Sequence, residues 1–401
     1  MKIAMVTPFP PSKITLNEYA YHLVKEFCQK DEIDEIVLIT DHTKNKKTID
    51  FYTVDCLVTI KESWKFNSYF NLFTILSTIL KERPDVVLFN IQFMTFGDKK
   101  IPAALGLLLP FFLKIFRVPN VVLLHNILEQ VDLSEAGISK NKISQWFYYK
   151  IGTLLTRLIL ETDVLAVTIS KYVKILQKKY HKNNIVHIPH GSFRIPSRTH
   201  FDIPKGTKKI LTFGKFGTYK KVEVLIEAVE KLRKRSKETF EIIIAGTDSP
   251  NSKGYLQAVA QKYKHVKGLT FTGYVEEEDV AKVFEDSTVV VFPYSSTTGS
   301  SGVLHQAGCY GKAVILPDIG DLSLLIREEG YNGEFFKPTD SDSLSNAIEK
   351  IISNDAYRME LAITNYNAAC SLPLTIIADM YIVYFSKLRT NNVKHFLVSN
   401  K

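Results

Sequence analysis

Short apolar runs alternate with amphipathic stretches along the first half of the chain. Continuous apolar runs of this length are typical of strands buried on both faces, and strands that alternate with helices indicate a parallel sheet covered by helices. The predicted strands are Lys2–Val6, Glu35–Thr40, Asp85–Phe89, Asn120–Leu124 and Val164–Ile169, and the predicted helices are Asn17–Gln29, Tyr69–Lys81, Ile101–Phe116 and Gln145–Leu160.

The same alternation restarts in the second half, after a Pro- and Gly-containing stretch at Pro189–Lys208 that has the composition of a linker. The predicted strands there are Lys209–Phe213, Phe240–Ala245, Leu269–Thr272, Thr288–Phe292 and Ala313–Leu316, and the predicted helices are Val222–Arg235, Lys253–Lys264, Glu277–Glu285, Gly302–Tyr310 and Ser341–Ser353. We therefore expect an α/β protein with two Rossmann-like, doubly wound domains, at residues 1–190 and 205–370, facing each other across a cleft. In open α/β sheets, ligands bind at the carboxyl ends of the strands.

Composition narrows the functional classes. A length of 401 residues suits two domains, and the formal charge of +9 favours anionic partners such as phosphates or acidic lipids. No recognition helix or stacking motif supports a nucleic-acid partner. The four cysteines lack metal-ligand spacing, which favours free thiols in a reducing cytoplasm. The N-terminus lacks the pattern of a signal peptide, and the apolar stretch Ile101–Leu113 is too short to span a bilayer. We expect a cytoplasmic protein, with association to a membrane surface left open.

Several short segments are similar, in the same order, to one family of enzymes. In the second half they are Phe213–Lys215 with Lys220, Ile243–Gly246, Phe271–Tyr274, and Phe292-Pro293 leading to Gly302–Ala307 and Gly311-Lys312. In the first half they are Met1–Pro10, His125-Asn126, Ile169–Lys171 and Ile188–Gly191. Over nearly its whole length the chain resembles a family 4 glycosyltransferase of the GT-B fold.

The resemblance implies an activity. A retaining, metal-independent enzyme of this kind moves a hexosyl group from a nucleoside-diphosphate sugar, here a UDP- or GDP-sugar, to an acceptor hydroxyl. It needs no cofactor, and a role in cell-surface polysaccharide or glycolipid synthesis is expected. The resemblance also implies an acceptor-side first domain, a donor-binding second domain, and a C-terminal helix at 371–390 that crosses back to the first domain.

Two lysines are the candidate catalytic cations of the second domain. Lys215 and Lys220 follow a predicted strand, where they can neutralise a diphosphate and stabilise it as it leaves. The family usually has Arg and then Lys at these positions. Lys215 therefore offers a point charge in place of the paired hydrogen bonds that an arginine can donate. The alternative is a solvated basic loop, since further lysines are close by. The resemblance also assigns Gly214 and Gly246 to donor binding.

Hydroxyl-bearing and small residues precede the predicted helix at Gly302–Tyr310. The free amides of a helix N-terminus and its dipole attract anions, so a diphosphate is expected here, opposite the two lysines. The resemblance assigns to this donor site the residues Thr298, Gly299, Ser300, Ser301, Gly302 and Val303. Ordinary capping by Ser300 or Ser301 is a second interpretation, and the two are compatible.

The same segment departs from the family. Family members commonly carry two glutamates separated by seven residues, the first near the donor sugar and the second on the ribose hydroxyls. Thr298 and Gln306 occupy these positions, and Gln306 can still bond a diol. The sugar preference is therefore open, as is a catalytically inactive, nucleotide-sugar-binding subunit as an alternative function. The resemblance places Gly273, Tyr274 and Val275 against the base, although a surface aromatic explains Tyr274 equally well. The sequence does not separate uridine from guanosine or adenosine.

Three further features concern the first domain and metals. His125 ends an apolar strand, and the resemblance brings it to the donor sugar or its phosphate as a neutral or protonated imidazole; a structural histidine is the alternative. The family's two glycines after the first strand are missing from Ser12–Asn17.

Asp340-Ser341-Asp342 superficially matches a metal-binding Asp-x-Asp motif, but its position before a helix predicts capping, and no metal site is expected.

The acceptor is the least defined partner. Residues 140–157 mix Trp146, Phe147, Tyr148 and Tyr149 with basic residues, a pattern that suits a helix resting on an anionic membrane surface and a lipid-linked acceptor. An ordinary helix with exposed charge explains the pattern equally well.

Overall fold

The chain forms two compact units, each built around a parallel β-sheet. In the structure, a computed structural model, the described residues are 1–45, 56–130, 141–193, 195–196, 199, 201, 206–249, 251–296 and 299–399. The N-terminal unit comprises Met1–Gln130, Ile143–His190 and the chain from Leu374, and the C-terminal unit comprises Gly191–Pro373.

The N-terminal unit contains a seven-stranded parallel sheet with the strand order β3-β2-β1-β4-β5-β6-β7. Its strands are β1 (Lys2–Val6), β2 (Glu35–Asp41), β3 (Leu57–Trp64), β4 (Val86–Ile91), β5 (Asn120–Leu124), β6 (Val164–Val167) and β7 (Ile185–His187). Its helices before the linker are α1 (Asn17–Phe27), α2 (Asn71–Glu82), α3 (Lys100–Leu107), α4 (Leu109–Ile115), α5 (Lys142–Ile159) and α6 (Ser170–Tyr180), and a single 3-10 turn covers Leu128–Gln130.

The central strands explain the apolar runs of the sequence. Every residue of β4, β5 and β6 is buried, because helices cover both faces of the sheet. The strand order reverses between β1 and β4, so the carboxyl ends of these two strands flank the crevice where doubly wound sheets bind ligands.

One predicted helix is divided in two. The sequence predicts a single helix at Ile101–Phe116, whereas α3 ends at Leu107 and α4 begins at Leu109. Pro110 lies in the first turn of α4. Proline has no N–H for an intrahelical hydrogen bond and is tolerated only near a helix start, so its position is the physical reason for the division.

The chain ends in a long helix that belongs to the N-terminal unit. Helix α14 spans Leu374–Ser399, after α13 of the C-terminal unit. Its buried residues recur every three or four positions, the spacing of one helical face, and include Leu374, Ile377, Tyr381 and Phe385. The Tyr381 and Phe385 rings pack against Phe27 of α1, with centroids 6.2 and 5.8 Å away.

The C-terminal unit contains a six-stranded parallel sheet with the order β10-β9-β8-β11-β12-β13. Its strands are β8 (Lys208–Phe216), β9 (Phe240–Asp248), β10 (Leu269–Gly273), β11 (Val289–Val291), β12 (Val314–Pro317) and β13 (Glu334–Phe336). Its helices are α7 (Glu223–Arg233), α8 (Tyr255–Lys262), α9 (Glu277–Glu285), α10 (Gly302–Cys309), α11 (Gly320–Glu329), α12 (Ser341–Ile352) and α13 (Asp355–Ser371).

This strand order is that of a dinucleotide-binding Rossmann sheet. The order reverses between β8 and β11, so the loops after these two strands flank the crevice of the C-terminal unit. The α/β fold with two Rossmann-like units, predicted from the alternating apolar runs, is thereby confirmed.

Candidate donor site and its neighbours

Three glycines line the carboxyl edge of adjacent strands in the C-terminal unit. Gly214 of β8 is in register with Gly246 of β9, and Gly273 of β10 pairs with Gly246. A Cβ on Gly246 would lie 1.8 Å from the Gly214 carbonyl oxygen, and its φ is +136°. Only glycine fits at Gly246, because the backbone of β8 occupies the space that a side chain would need.

Lys220 lies at the same edge. A Cβ on Gly214 would lie 3.3 Å from the Lys220 Nζ, so the ammonium rests beside the Gly214 backbone. The Nζ is also 4.5 Å from the centroid of the Tyr294 ring, within the range of a cation–π contact. Within the described ranges no carboxylate forms an ion pair with Lys220, which leaves a half-buried cation whose charge is not neutralised by an acid.

Backbone hydrogen bonds hold Lys220 in this position. The amide of Ser295 donates to the Tyr219 carbonyl at 2.8 Å, and the amide of Lys221 donates to the Pro293 carbonyl at 3.2 Å. These bonds join the loop after β8 to the loop after β11, which are the two loops at the reversal of strand order. The sequence did not identify Tyr294, whose ring is buried and whose burial raises the pKa of its hydroxyl.

Lys215 is placed differently from the prediction. The sequence predicts it in a loop, but β8 continues to Phe216 and Lys215 pairs with Thr247 of β9. Successive strand side chains point to opposite faces, so Lys215 lies on the other face from its neighbours Gly214 and Phe216. The structure brings Lys220, and not Lys215, onto the Gly214 backbone.

The N-terminus of α10 carries the predicted hydroxyl residues. Ser301 is the N-cap, and its side chain accepts from the Leu304 amide at 3.4 Å, which confirms capping at this residue. Gly302 and Val303 are the first two residues of the helix, so their amides have no intrahelical acceptor. Gly299 has a φ of +79°, and Thr298 lies outside the described residues.

Ser300 is held by a cluster that the sequence did not identify. Its Oγ lies 3.1 Å from His305 Nε2, and His305 Nδ1 lies 2.9 Å from the Tyr331 hydroxyl. The Glu329 carboxyl lies 3.6 Å from the same Nε2 and is buried with both oxygens unbonded among the described atoms. Burial raises the pKa of Glu329 to about 8, with a smaller effect from Glu328.

The remaining donor-site residues of the C-terminal unit have different exposures. Gln306 is only 7% exposed on α10, and Val275 is buried. Gly273 has a φ of +71° with nothing within 4 Å of a built Cβ, and Tyr274 is half-buried beside it. Gly273 therefore opens onto free space at the end of the glycine row.

Asp340 caps a helix, as predicted. Its Oδ1 accepts from the amides of Asp342 and Ser343, each at 3.0 Å, at the start of α12. In the described ranges of the chain, no three His, Cys, Asp or Glu side chains are grouped as a metal site.

His125 lies at the carboxyl edge of the N-terminal sheet, directly after β5. Its Nε2 is 2.7 Å from the Oδ1 of Asn90, near the end of β4. The rings of Tyr19 and His190 lie 4.9 and 6.0 Å from its ring. Burial, with the charge of His190, holds the pKa of His125 well below its usual range. Of the two predicted charge states, the imidazole is therefore the neutral one in this structure.

Comparison with known proteins finds one matching family model and several structures of similar fold. Residues 194–368 match the family model of glycosyl transferases group 1, which is less than half of the chain. The structure is similar to sucrose-phosphate synthase from Thermosynechococcus elongatus, with a TM-score of 0.76, 15% identity, and coverage of 98% of this chain and 100% of the other. It is also similar to Anabaena HepE in complex with UDP-glucose (TM-score 0.72, 16% identity, 96% and 100% covered).

A third similar structure is WaaG, a glycosyltransferase involved in lipopolysaccharide biosynthesis, with a TM-score of 0.66, 14% identity and 95% and 98% of the two chains covered. The chain has a GT-B fold. No curated protein sequence matches it significantly.

Within this GT-B fold, the family match and the candidate donor site coincide. The matched residues contain the glycine row, Lys220, Tyr294 and the start of α10, all of which belong to the C-terminal unit. Among the described residues, no helix is long and apolar enough to cross a membrane.

Proposed function

We propose that this chain transfers a sugar from a nucleoside-diphosphate donor to an acceptor hydroxyl, with retention and without a metal ion. The observation that carries the proposal is the Lys220 ammonium, which has no ion-pair partner among the described residues and lies at the reversal of strand order beside bare glycine backbone. The match of residues 194–368 to glycosyl transferases group 1 supports it independently.

The diphosphate would be held from two sides of the C-terminal unit. Lys220 supplies a full positive charge, which favours the diphosphate more as its charge grows on leaving the sugar. The amides of Gly302 and Val303, at the start of α10, supply hydrogen-bond donors aligned with the helix dipole. Lys215, on the other face of β8, would contribute at longer range.

The nucleoside would lie along the glycine row. Gly273, which has open space where a side chain would lie, would let the backbone approach the base closely. Tyr274 and Val275 would lie near the base and Gln306 near the ribose hydroxyls. We take UDP-sugars as the first donors to test, because HepE, a structural neighbour, is described in complex with UDP and with UDP-glucose. His125 of the N-terminal unit would contact the sugar.

The acceptor side would face a membrane. Helix α5 buries only Gly152, Thr156 and Ile159, all in its second half. It exposes large apolar side chains between basic ones; the apolar residues are Ile143, Trp146, Phe147 and Leu154, and the basic ones are Lys142, Lys150 and Arg157. Such a face suits an anionic lipid surface and a lipid-linked acceptor.

We place the reaction in the cytoplasm, because no disulfide involves any of the four cysteines, a state that a reducing compartment preserves.

A donor panel with matched lysine variants tests the proposal. The protein is incubated with UDP-glucose, UDP-galactose, UDP-N-acetylglucosamine or GDP-mannose, and nucleotide release and sugar transfer are followed by mass spectrometry. One donor is expected to be consumed, and Lys220→Ala should slow its consumption by roughly a hundredfold. Lys221→Ala, which removes the exposed neighbouring charge, should leave the rate nearly unchanged.

Two outcomes contradict this account. Consumption that is equally fast in Lys220→Ala would remove the assigned site. Binding of nucleotide without consumption of any donor would favour the second candidate function, a nucleotide-sugar-binding subunit, which the replacement of both family glutamates by Thr298 and Gln306 supports.

A further inference from the structure

A series of hydrogen bonds connects His125 to the loop after β1, and each group in it donates in the direction of that loop. The Thr7 hydroxyl donates to the Pro8 carbonyl at 3.0 Å, so its oxygen is left to accept. The Asn90 Nδ2 donates to this oxygen at 2.9 Å and to the Leu16 carbonyl at 3.4 Å. Because the Leu16 carbonyl can only accept, the amide group of Asn90 faces it with nitrogen.

The orientation of Asn90 decides the protonation of the histidine. Its Oδ1 faces His125 Nε2 at 2.7 Å, and an amide oxygen is an acceptor only. Nε2 must therefore carry the hydrogen. In a neutral imidazole the other nitrogen then holds a lone pair, so Nδ1 accepts hydrogen bonds and does not donate them.

We propose that Asn90 is a positioning residue that fixes His125 as the Nε2–H tautomer, which leaves Nδ1 as a hydrogen-bond acceptor. A phosphate oxygen needs a hydrogen-bond donor, whereas a sugar hydroxyl can donate to Nδ1. The contact with the sugar rests on the proposed function; the tautomer does not, because it follows from the contacts of Asn90 alone.

The surroundings of His125 favour the uncharged ring. The titratable groups that face it are Tyr19 from α1 and His190 after β7, whose positive form would repel a second imidazolium. From β4 it meets the neutral amide of Asn90. In the described residues no carboxylate lies within ion-pair distance of it. A carboxylate at position 90 would reverse this balance and bring a proton to Nδ1.

Leu16 helps to fix the direction of these hydrogen bonds. It is a non-glycine residue in the left-handed region, with a φ of +80°, a conformation that costs about 1 kcal/mol in an L-residue. This conformation occurs where its carbonyl accepts from Asn90. The loop in which the family places glycines thus supplies a hydrogen-bond acceptor for Asn90.

Nitrogen NMR of the whole protein tests the tautomer directly. The protein is labelled with ¹⁵N-histidine, and the His125 signals are identified as those missing from His125→Gln. We expect a pyrrole-type Nε2 and a pyridine-type Nδ1 throughout pH 6 to 8. A protonated Nδ1 in the wild-type protein, in either the neutral or the charged ring, would overturn the proposal.

Asn90→Asp tests the positioning role. We expect both ring nitrogens of His125 to be protonated near pH 7, and kcat/KM for the donor to fall at least tenfold and to recover as pH rises and the ring loses its proton. Asn120→Asp makes the same exchange at the opposite end of β5 and should leave the His125 signals unchanged. Wild-type-like ring signals in a folded Asn90→Asp protein would contradict the proposal.

The two proposals fail in distinguishable ways. If Asn90→Asp does not fold, the wild-type spectrum still decides the tautomer. If no donor is consumed, the proposed function fails while the spectra still confirm or overturn the role of Asn90.

Discussion

The ammonium of Lys220 lies 4.5 Å from the centroid of the Tyr294 ring, and the two residues also form an isolated β-bridge. The ring is buried, so its face offers the cation a site from which water is partly excluded. Such a contact stabilises by about 0.5–2 kcal/mol, and it leaves the ammonium hydrogens available for an anion. Tyr294 thus positions a charge without neutralising it, as an acidic partner would.

Two substitutions of Tyr294 should distinguish the contribution of the aromatic ring to UDP binding from that of the hydroxyl. Tyr294→Phe keeps the aromatic face and should bind UDP as the wild type does. Tyr294→Leu keeps an apolar side chain but removes the π-system, and should weaken UDP binding by about twofold to thirtyfold. Isothermal titration calorimetry measures both affinities; equal affinity in the Phe and Leu variants, each shown to be folded, would exclude the cation–π contact.

Gly246→Ala should be far more destabilising than an alanine at another glycine of positive φ. Its Cβ would lie 1.8 Å from a backbone oxygen, so the strands β8 and β9 would have to separate, at a cost of several kcal/mol. Gly254→Ala is the control, because Gly254 has a φ of +82° but open space around it and should lose only about 1 kcal/mol. Urea denaturation measures the free energies of unfolding, and similar losses would contradict the close approach.

Stability should fall as pH rises, because of Glu329. Burial raises the pKa of this carboxyl to about 8 in the folded protein, whereas it is near 4.5 when unfolded. The protonated acid is therefore favoured by folding. The contribution is fully present below about pH 4.5 and is lost as the pH rises to about 8, with a loss on the order of 5 kcal/mol.

Two glutamine variants, one at Glu329 and one at its neighbour Glu328, test this prediction. Glu329→Gln imitates the protonated acid and should remove most of this pH dependence, so that the variant is more stable than the wild type at pH 9. Glu328→Gln removes only the smaller effect of an exposed neighbour on Glu329 and should shift the wild-type profile only slightly. Thermal unfolding between pH 5 and 9 follows the effect; a Glu329→Gln profile parallel to that of the wild type would rule out Glu329 as its source.

The α5 surface should bind anionic vesicles. Phe147→Ser removes a side chain that is 55% exposed and should lower binding to phosphatidylglycerol vesicles by roughly tenfold. Phe335→Ser removes an exposed phenylalanine of the C-terminal unit and should not matter. Vesicle sedimentation measures both. If the two variants bound anionic vesicles equally well, α5 would not be the membrane-facing surface. The same would follow if the wild-type protein bound neutral phosphatidylcholine vesicles as strongly as anionic ones.

The sequence was most informative where burial is continuous. The run Asp85–Phe89 predicts β4, found at Val86–Ile91, because a strand covered on both faces must be apolar throughout. Strand β3, at Leu57–Trp64, was not predicted, because it is an edge strand with partly exposed residues and no continuous apolar run. The row of Gly214, Gly246 and Gly273 was identified by its place after predicted strands, which fixes its position at one edge of a parallel sheet.

Contacts between distant residues could not be predicted in the same way. His125 was identified at a strand end, but Asn90, which determines its tautomer, is 35 residues away. The one signal in the sequence is that Asn90 is polar at the end of an otherwise apolar run. His305 of α10 and Glu329 of α11 are 24 residues apart in the sequence but lie within 3.6 Å of each other, and no periodic pattern in the sequence predicts such a contact.

The central claim is that Lys220 binds the diphosphate of a nucleotide donor, and calorimetry with UDP and uridine tests it most directly. The two ligands share the nucleoside and differ in the diphosphate, so only a phosphate contact distinguishes them. The account predicts that Lys220→Ala weakens UDP binding about tenfold or more and leaves uridine binding unchanged, whereas Lys221→Ala affects neither. An unchanged UDP affinity in Lys220→Ala, or an equal loss for UDP and uridine, would contradict it.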